Sequence, residues 1–258
     1  MKQINVIKVG GGVVEDAASL YRLLNDFASL PGRKVLVHGG GRSATRVAAQ
    51  LGIESRMVDG RRVTDAAMLD VVTMVYGGLV NKRVVAGLQC RGVDALGLTG
   101  ADLNLIRSHK RPAGEVDFGW VGDIDRVDGA VLQRLVEDGC VPVVAPLTHD
   151  GQGNILNTNA DSIAGEVACA LASHCEVTLT FCFEKRGVLR DADDETSVIA
   201  TIDRNDFMRY RDDGTVSGGM LPKIENALAA IDAGVGRVVI TSAKAIDGTK
   251  GTIIKGTK

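Results

Sequence analysis

Two short apolar runs in this chain each end in a glycine triplet and pass straight into a helical pattern. Residues 4–9 lead into Gly10-Gly11-Gly12, and residues 34–37 lead through His38 into Gly39-Gly40-Gly41. Short apolar runs bounded by glycine read as strands buried on both faces. The helices that follow are expected over 16–30, with Leu20, Leu23, Leu24 and Phe27 on one face, and over 43–51. A strand that turns tightly into a helix, twice in succession, opens a parallel sheet with helices packed on it.

The alternation continues along the chain. Further strands are expected at 94–98, 141–145, 177–183, 237–241 and 251–254, and helices at 131–137 and 163–171. Residues 66–90 read as a long helix interrupted near Gly77-Gly78, 57–63 as extended, 103–127 as hairpins, and 150–154 as a turn. The fold class is therefore α/β, a parallel sheet covered on both faces. The chain has 258 residues, 45% of them hydrophobic, enough for a full core in one domain or two lobes. The turn near residue 150 is the one plausible boundary, which gives lobes of about 1–150 and 151–258 within a single domain spanning 1–258.

Composition excludes several classes. A net charge of −2 leaves no electrostatic case for nucleic acid. No apolar run approaches the length of a membrane helix. Met1-Lys2-Gln3-Ile4 enters a strand pattern at once, so no leader is expected. The five cysteines form no C-x-x-C pair and read as buried thiols in a reducing cytoplasm. Four histidines without H-x-x-x-H spacing argue against zinc.

Several residues do not fit a purely structural account. Ser217-Gly218-Gly219-Met220-Leu221-Pro222-Lys223 opens a helical pattern that continues through Ile224, Leu228 and Ile231 to Gly234. Lys223 falls in the first turn, where the helix dipole disfavours a cation. Glycines, a helix N-terminus and a cation together describe either an anion site, phosphate above all, or a glycine-rich turn with a solvated lysine. Lys8 lies inside the first strand, two residues before its glycines. A buried ammonium needs a partner, so either Lys8 reaches an anion above the glycines or the strand is an edge. Asn157-Thr158-Asn159-Ala160-Asp161 reads as extended, with Asn157, Asn159 and Asp161 on one face. Asp161 also precedes a helix and could be its N-cap. Arg62, in Gly60-Arg61-Arg62-Val63-Thr64, suits a carboxylate or is simply solvated.

Residues 39–44 (Gly-Gly-Gly-Arg-Ser-Ala) also fit G-x-G-x-x-A after a strand, with Asp59 about 20 residues on. Alone, that pattern supports a nicotinamide oxidoreductase. A strand–glycine–helix unit with its own Lys8 stands ahead of it, which such a fold would not place there. No Walker sequence occurs, so a P-loop kinase is excluded.

Taken together, Ile7-Lys8-Val9-Gly10-Gly11, Val37-His38-Gly39-Gly40-Gly41, Gly60-Arg61-Arg62-Val63-Thr64, Asn157-Thr158-Asn159-Ala160-Asp161, Ser217 to Lys223 and Gly251-Thr252 resemble the amino acid kinase family, in its order and over nearly the whole chain. The resemblance implies a three-layer αβα sandwich around a mainly parallel sheet. It implies an N-terminal acyl-amino-acid lobe, a C-terminal nucleotide lobe, and ATP with Mg²⁺ as cofactors. The implied activity is transfer of the ATP γ-phosphoryl to the side-chain carboxylate of an N-acylated glutamate, in arginine biosynthesis. Other acceptors in the family are carbamate, aspartate, glutamate or a nucleotide, and a catalytically silent ligand-binding member is a further alternative.

By the same resemblance, Lys8 and Lys223 stabilise the transferring phosphoryl and Asp161 orients both. Gly40, Gly41, Arg62, Asn157 and Asn159 bind the acyl substrate. Gly11, Gly12, Glu184, Lys185, Gly187, Ser217, Gly218 and Gly219 fall to the nucleotide, and no protein metal ligand is implied. One run departs from the pattern: where the family usually shows Ser/Thr-Asp-Val-x-Gly, this chain has Phe183-Glu184-Lys185-Arg186-Gly187. Arg61 replaces a commonly apolar residue, and Arg42 follows the second glycine run. Either cation could serve a second carboxylate, such as that of N-succinylglutamate, or lie in solvent. Arginine-inhibited members carry an extra N-terminal helix; with a strand starting at Ile4, the expectation is a homodimer paired through the N-terminal lobe, without arginine feedback.

Overall fold

The computed structural model describes residues 3–58 and 60–256. Strand β1 (Gln3–Val9) is followed by α1 (Gly11–Glu15) and α2 (Ala17–Ser29). Gly11 and Gly12 thus form the first turn of a short helix, where a loop was expected, and Asp16 caps α2 by accepting the Ser19 amide at 2.7 Å. Strand β2 (Arg33–His38) leads into α3 (Gly41–Gln50). The extended stretch 57–63 is a two-by-two hairpin, β3 (Met57–Val58) and β4 (Arg61–Arg62). Asp59, between them, lies outside the described residues.

Helix α4 (Ala66–Val72) continues without a break through a π-helix, Thr73–Val80, into α5 (Asn81–Gln89). Gly77-Gly78 lies in that wider turn, so the expected interruption is a change of winding. Then come β5 (Ala95–Leu98), the antiparallel pair β6 (Ile106–Lys110) and β7 (Gly122–Val127), and α6 (Gly129–Glu137). Strand β8 (Val141–Val144) precedes the hairpin β9 (Leu147–His149) and β10 (Ile155–Asn157). Helix α7 (Ala160–Ala172) leads to β11 (Glu176–Phe183). The chain closes with β12 (Thr201–Ile202), α8 (Arg204–Asp212), α9 (Leu221–Asp232), β13 (Arg237–Ser242) and β14 (Thr252–Ile254). Pro222 sits in the first turn of α9, and Gly234, with φ 97°, lies just beyond its end.

Eight strands form one sheet in the order β12-β14-β13-β11-β1-β2-β8-β5, parallel throughout except between β13 and β14. Alternation along β1 divides the core. Ile4 and Val6 pack with Leu132 of α6, Val167 of α7, Phe207 of α8 and Ile224 of α9. Ile7 and Val9 pack with Phe27 of α2, Ala44 of α3, Val71 of α4 and Val84 of α5. Helices therefore cover both faces, and the three-layer αβα sandwich is the observed architecture. A second sheet, β10-β9-β6-β7, packs beside α7.

β1 sits between β11 and β2, so Lys8 cannot be an edge lysine in solvent; it is 6% exposed. All five cysteines are free; Cys175 and Cys182 are buried as expected, but Cys90 is exposed. Among the described residues, no helix is long and apolar enough to cross a membrane.

Candidate active site

In an open parallel sheet the carboxyl ends of the strands are where ligands sit. Here β1 and β2 end side by side, and their glycine runs face each other. A Cβ on Gly39 would lie 2.9 Å from the Gly11 amide nitrogen, so backbone occupies the space a side chain would need. The Glu15 carboxylate ties the two units together by accepting the Ser43 amide at 2.6 Å. His38 holds the base of the second run. Burial pushes its imidazole down to about 4, so the ring is neutral at physiological pH. Its Nδ1 donates to the Gly39 carbonyl at 2.8 Å, and Nε2 accepts from Asn81 Nδ2 at 3.2 Å. Sequence reasoning did not find this support; a histidine closing a buried strand was its only trace.

Asp161 lies on the other side of the cleft, in the first turn of α7. The extended reading of 157–161 therefore fails at Ala160 and Asp161, where α7 has begun, while Asn157 closes β10 and Asn159 keeps an extended backbone. Asp161 is not the cap of that helix. Asn159 is: its side-chain oxygen accepts the amides of Asp161 at 2.7 Å and Ser162 at 3.2 Å. Asp161 is left free to bind cations. Its Oδ1 meets Lys8 Nζ at 2.6 Å, a charge contact outside hydrogen-bond alignment, and its Oδ2 accepts from Lys223 Nζ at 3.4 Å. Burial alone would raise this carboxyl; the Lys8 and Lys223 charges outweigh it and hold Asp161 below the usual carboxylate range.

The same two ammoniums lie over one aromatic ring. Lys8 Nζ is 4.8 Å and Lys223 Nζ 4.5 Å from the centroid of Phe183. Phe183 in turn stacks on Phe181, with centroids 6.1 Å apart and planes 7° from parallel. Sequence reasoning placed the departure at 183–187 but did not see this role.

Two cavities adjoin at Gly41 and Gly60, which line both. One, of about 190 Å³, is lined by Gly40, Gly41, Arg62, Asn157 and Asn159, the expected acyl-substrate residues, with Arg61 and Tyr76 beside them. Arg62 is buried and already engaged, donating to Gly41 O at 2.9 Å, Thr45 Oγ1 at 2.8 Å and Ser55 Oγ at 2.8 Å. Asn157 Nδ2 donates to Thr64 Oγ1 at 2.9 Å. The other cavity, of about 600 Å³, takes in Lys8, Lys223, Gly11, Gly12, Glu184 and Lys185. Four expected nucleotide residues lie outside it. Gly187 is buried against Thr252 of β14, and Ser217, Gly218 and Gly219 form the turn that leads into α9.

Arg42 does not line the smaller cavity. It pairs with Glu184 at 2.7 Å, in the open, across Gly12. Arg61 does line that cavity, and a second polar cavity with Arg111, Asp123 and Glu166 adjoins it there. The residues present do not form a protein cage for a metal: among the described residues no group of three or more His, Cys, Asp or Glu could hold one. Asp161 and Glu184 each face cations of the chain itself. They fit a magnesium ion that arrives on nucleotide phosphates and keeps its waters.

A buried carboxylate joining two lysines, between glycine-rich strand ends and a second cavity, is equipment for phosphoryl transfer. The chain belongs to the amino acid kinase family, whose profile matches residues 3–242. It is similar to an acetylglutamate kinase of Bacteroides thetaiotaomicron, 65% identical over 254 residues that cover 98% of this chain and 99% of the relative. Among solved structures it resembles smu.665 from Streptococcus mutans, with TM-score 0.82, 28% identity and 99% of each chain covered. It shares its fold with a carbamate kinase from Giardia lamblia bound to AMP-PNP, with TM-score 0.70, 14% identity and 99% of each chain covered. Membership in this family sets aside the nicotinamide reading of residues 39–44.

Proposed function

We propose that this chain transfers the γ-phosphoryl group of ATP, carried with Mg²⁺, to the side-chain carboxylate of N-acetyl-L-glutamate, a step of arginine biosynthesis. The observation that carries the reading is Asp161 between Lys8 and Lys223, two lysines that line the larger cavity, which shares Gly41 and Gly60 with the smaller one. The similarity to acetylglutamate kinases over nearly the full chain supports the acceptor.

The chemistry needs little from the protein beyond alignment and charge. The substrate carboxylate is ionised at neutral pH, so no general base is required. Its oxygen forms a bond to the γ-phosphorus while the bond from that phosphorus to the β,γ-bridging oxygen breaks, and ADP leaves with the electron pair. Negative charge on the transferring oxygens falls to Lys8 and Lys223, and Asp161 keeps the two ammoniums converged. The α3 N-terminus and Gly40-Gly41 border the acyl cavity, a site suited to an anionic acceptor. Gly11, Gly12, Glu184 and Lys185 line the nucleotide side, and Gly187, Ser217, Gly218 and Gly219 belong to its outer part in this proposal. When bound, Mg²⁺ neutralises phosphate charge.

The division of labour is an acyl-binding lobe of about residues 1–150 and a nucleotide lobe of about 151–258, with 157–160 reaching back into the acyl cavity. A cytoplasmic homodimer completes the proposal. Strand β5 ends the main sheet with an open edge, and Leu96 on it is 38% exposed, which favours pairing through the N-terminal half. The test is ATP consumption with N-acetylglutamate, the acyl phosphate being trapped by hydroxylamine as the hydroxamate. No hydroxamate with N-acetylglutamate, but turnover with carbamate or free glutamate, would transfer the chain to another acceptor.

A further inference from the structure

We infer that Phe183 is a positioning residue for phosphoryl transfer, its ring face holding the Lys8 and Lys223 ammoniums side by side where they receive the transferring group. The inference rests on the kinase reading above. It starts from a charge imbalance. Asp161 carries one negative charge and faces two ammoniums, so the cluster has a surplus cation and the two lysines repel each other. Lys8 is nearly dry and cannot turn to solvent for compensation. An aromatic face is electron-rich, and Arg or Lys within about 6 Å of its centroid is attracted to it. Both ammoniums are within that range of one ring.

The ring is itself fixed. In β11, Phe181 pairs with Lys8 of β1, and Phe183 follows two residues later on the same face. Phe181 is fully buried, and Phe183 stacks on it. The platform therefore extends the core outward to the cleft. A lysine stem has many rotamers and no preferred direction in a wide cavity. Held between a carboxylate and a rigid ring, each stem has few. The ring does not compete for phosphate as a second carboxylate would, so the pair stays cationic and close while its outward side remains open to an anion. Phe183 also opens the run in which this sequence departs from its family resemblance, so the platform is a property of this chain's own residues.

The test uses the full chain with phenylalanines bearing one, two and three fluorines at position 183, beside Phe183→Tyr and Phe183→Leu. Fluorine drains the ring face and barely alters its shape. Turnover should fall stepwise to about a tenth with three fluorines, at KM for ATP within about twofold and unchanged Tm. Phe183→Tyr should stay near the parent, and Phe183→Leu should fall at least as far as the trifluoro ring. A flat series, or a change in KM for ATP alone, overturns the inference and makes Phe183 packing or a nucleotide contact. A second measurement needs no turnover. Without nucleotide, the ε-methylene protons of Lys8 and Lys223 should show upfield ring-current shifts that Phe183→Leu abolishes; their absence also overturns it. If the parent phosphorylates no carboxylate, the kinase reading fails, and these shifts still decide whether the ring holds the two ammoniums.

Discussion

Asn159 caps the helix on which Asp161 acts: its Oδ1 accepts the Asp161 amide at 2.7 Å, so the neighbouring carboxylate is not needed to start α7. This separates two roles that the sequence pattern joined. Asp161→Asn should therefore leave α7 and the fold intact, keep substrate binding, and lower turnover by about a hundredfold or more, because it removes the charge that converges two cations. An enzyme of full activity would deny Asp161 any part in the chemistry. Asn159→Ala should show the converse, a loss of stability of about 1 kcal/mol.

The lowered Asp161 pKa makes a pH prediction with a definite sign. A carboxyl whose folded value is depressed adds stability that is present above its unfolded value, about 3.9, and is lost as pH falls through the folded value. The parent should therefore lose more Tm than Asp161→Asn between pH 5 and the acid limit, by thermal melts in matched buffers. Parallel curves would mean that the ion pairs add nothing.

Lys8→Ala and Lys223→Ala should each lower turnover by about 3 kcal/mol, a hundredfold and more, with a much smaller effect on ATP affinity. Calorimetry against a non-hydrolysable nucleotide beside the hydroxamate assay distinguishes the two effects. Lys8→Ala should also cost more stability, since it leaves a nearly dry carboxylate with the longer Lys223 contact alone.

Two glycines of the cradle should respond differently to the same methyl group. On Gly39 it would press on the Gly11 backbone at 2.9 Å, and Gly39→Ala should cost about 1–3 kcal/mol in unfolding by denaturant. On Gly12 it would strike Glu184 Oε1 and come within 2.9 Å of Arg42 Nη1, two side-chain ends that lie in solvent and can swing away. Gly12→Ala should change stability little. Equal losses would mean that the Arg42–Glu184 pair is a rigid strut.

The acyl group is tested at Arg61. If this cation serves a second carboxylate, Arg61→Leu lowers kcat/KM for N-succinylglutamate by about tenfold or more and spares N-acetylglutamate. Arg42→Ala should leave the ratio unchanged, since Arg42 faces Glu184 and Gly12. An equal effect of Arg61→Leu on both substrates would make it merely a wall of the cavity.

Much of this was legible because period and punctuation survive in one sequence. The runs at 4–9 and 34–37 read as buried strands once glycine follows and helix resumes, and Lys8 is then conspicuous. What was missed has local causes. Gly11 and Gly12 are poor helix formers, yet they start α1 because the Gly10 carbonyl accepts the Val13 and Val14 amides at 3.2 and 3.4 Å. Strand β12 has two residues, too few for alternation to register, and α8 is mostly charged. Asn159 and Asp161 are both good cap residues, so composition could not choose between them. The Phe181–Phe183 stack left a trace, two aromatics at strand spacing beside the strand of Lys8, but its meaning depends on a register that only the folded sheet supplies.

That register also governs how products can depart. β1 and β11 are paired at seven successive positions, so the strand bearing Lys8 and the strand bearing Phe183 are one continuous ladder. Swinging residues 151–258 away from residues 1–150 would tear that ladder where the core is driest. ADP and the acyl phosphate must instead exit by motion at the rim, where the β3–β4 hairpin and the exposed Arg42–Glu184 bridge border the cleft. In hydrogen-exchange labelling, β1 and β11 amides should remain among the slowest with products bound or free, while turnover-dependent change is confined to that border. A rate-limiting opening that left β1 and β11 exchanging together would show that the sheet itself is the hinge.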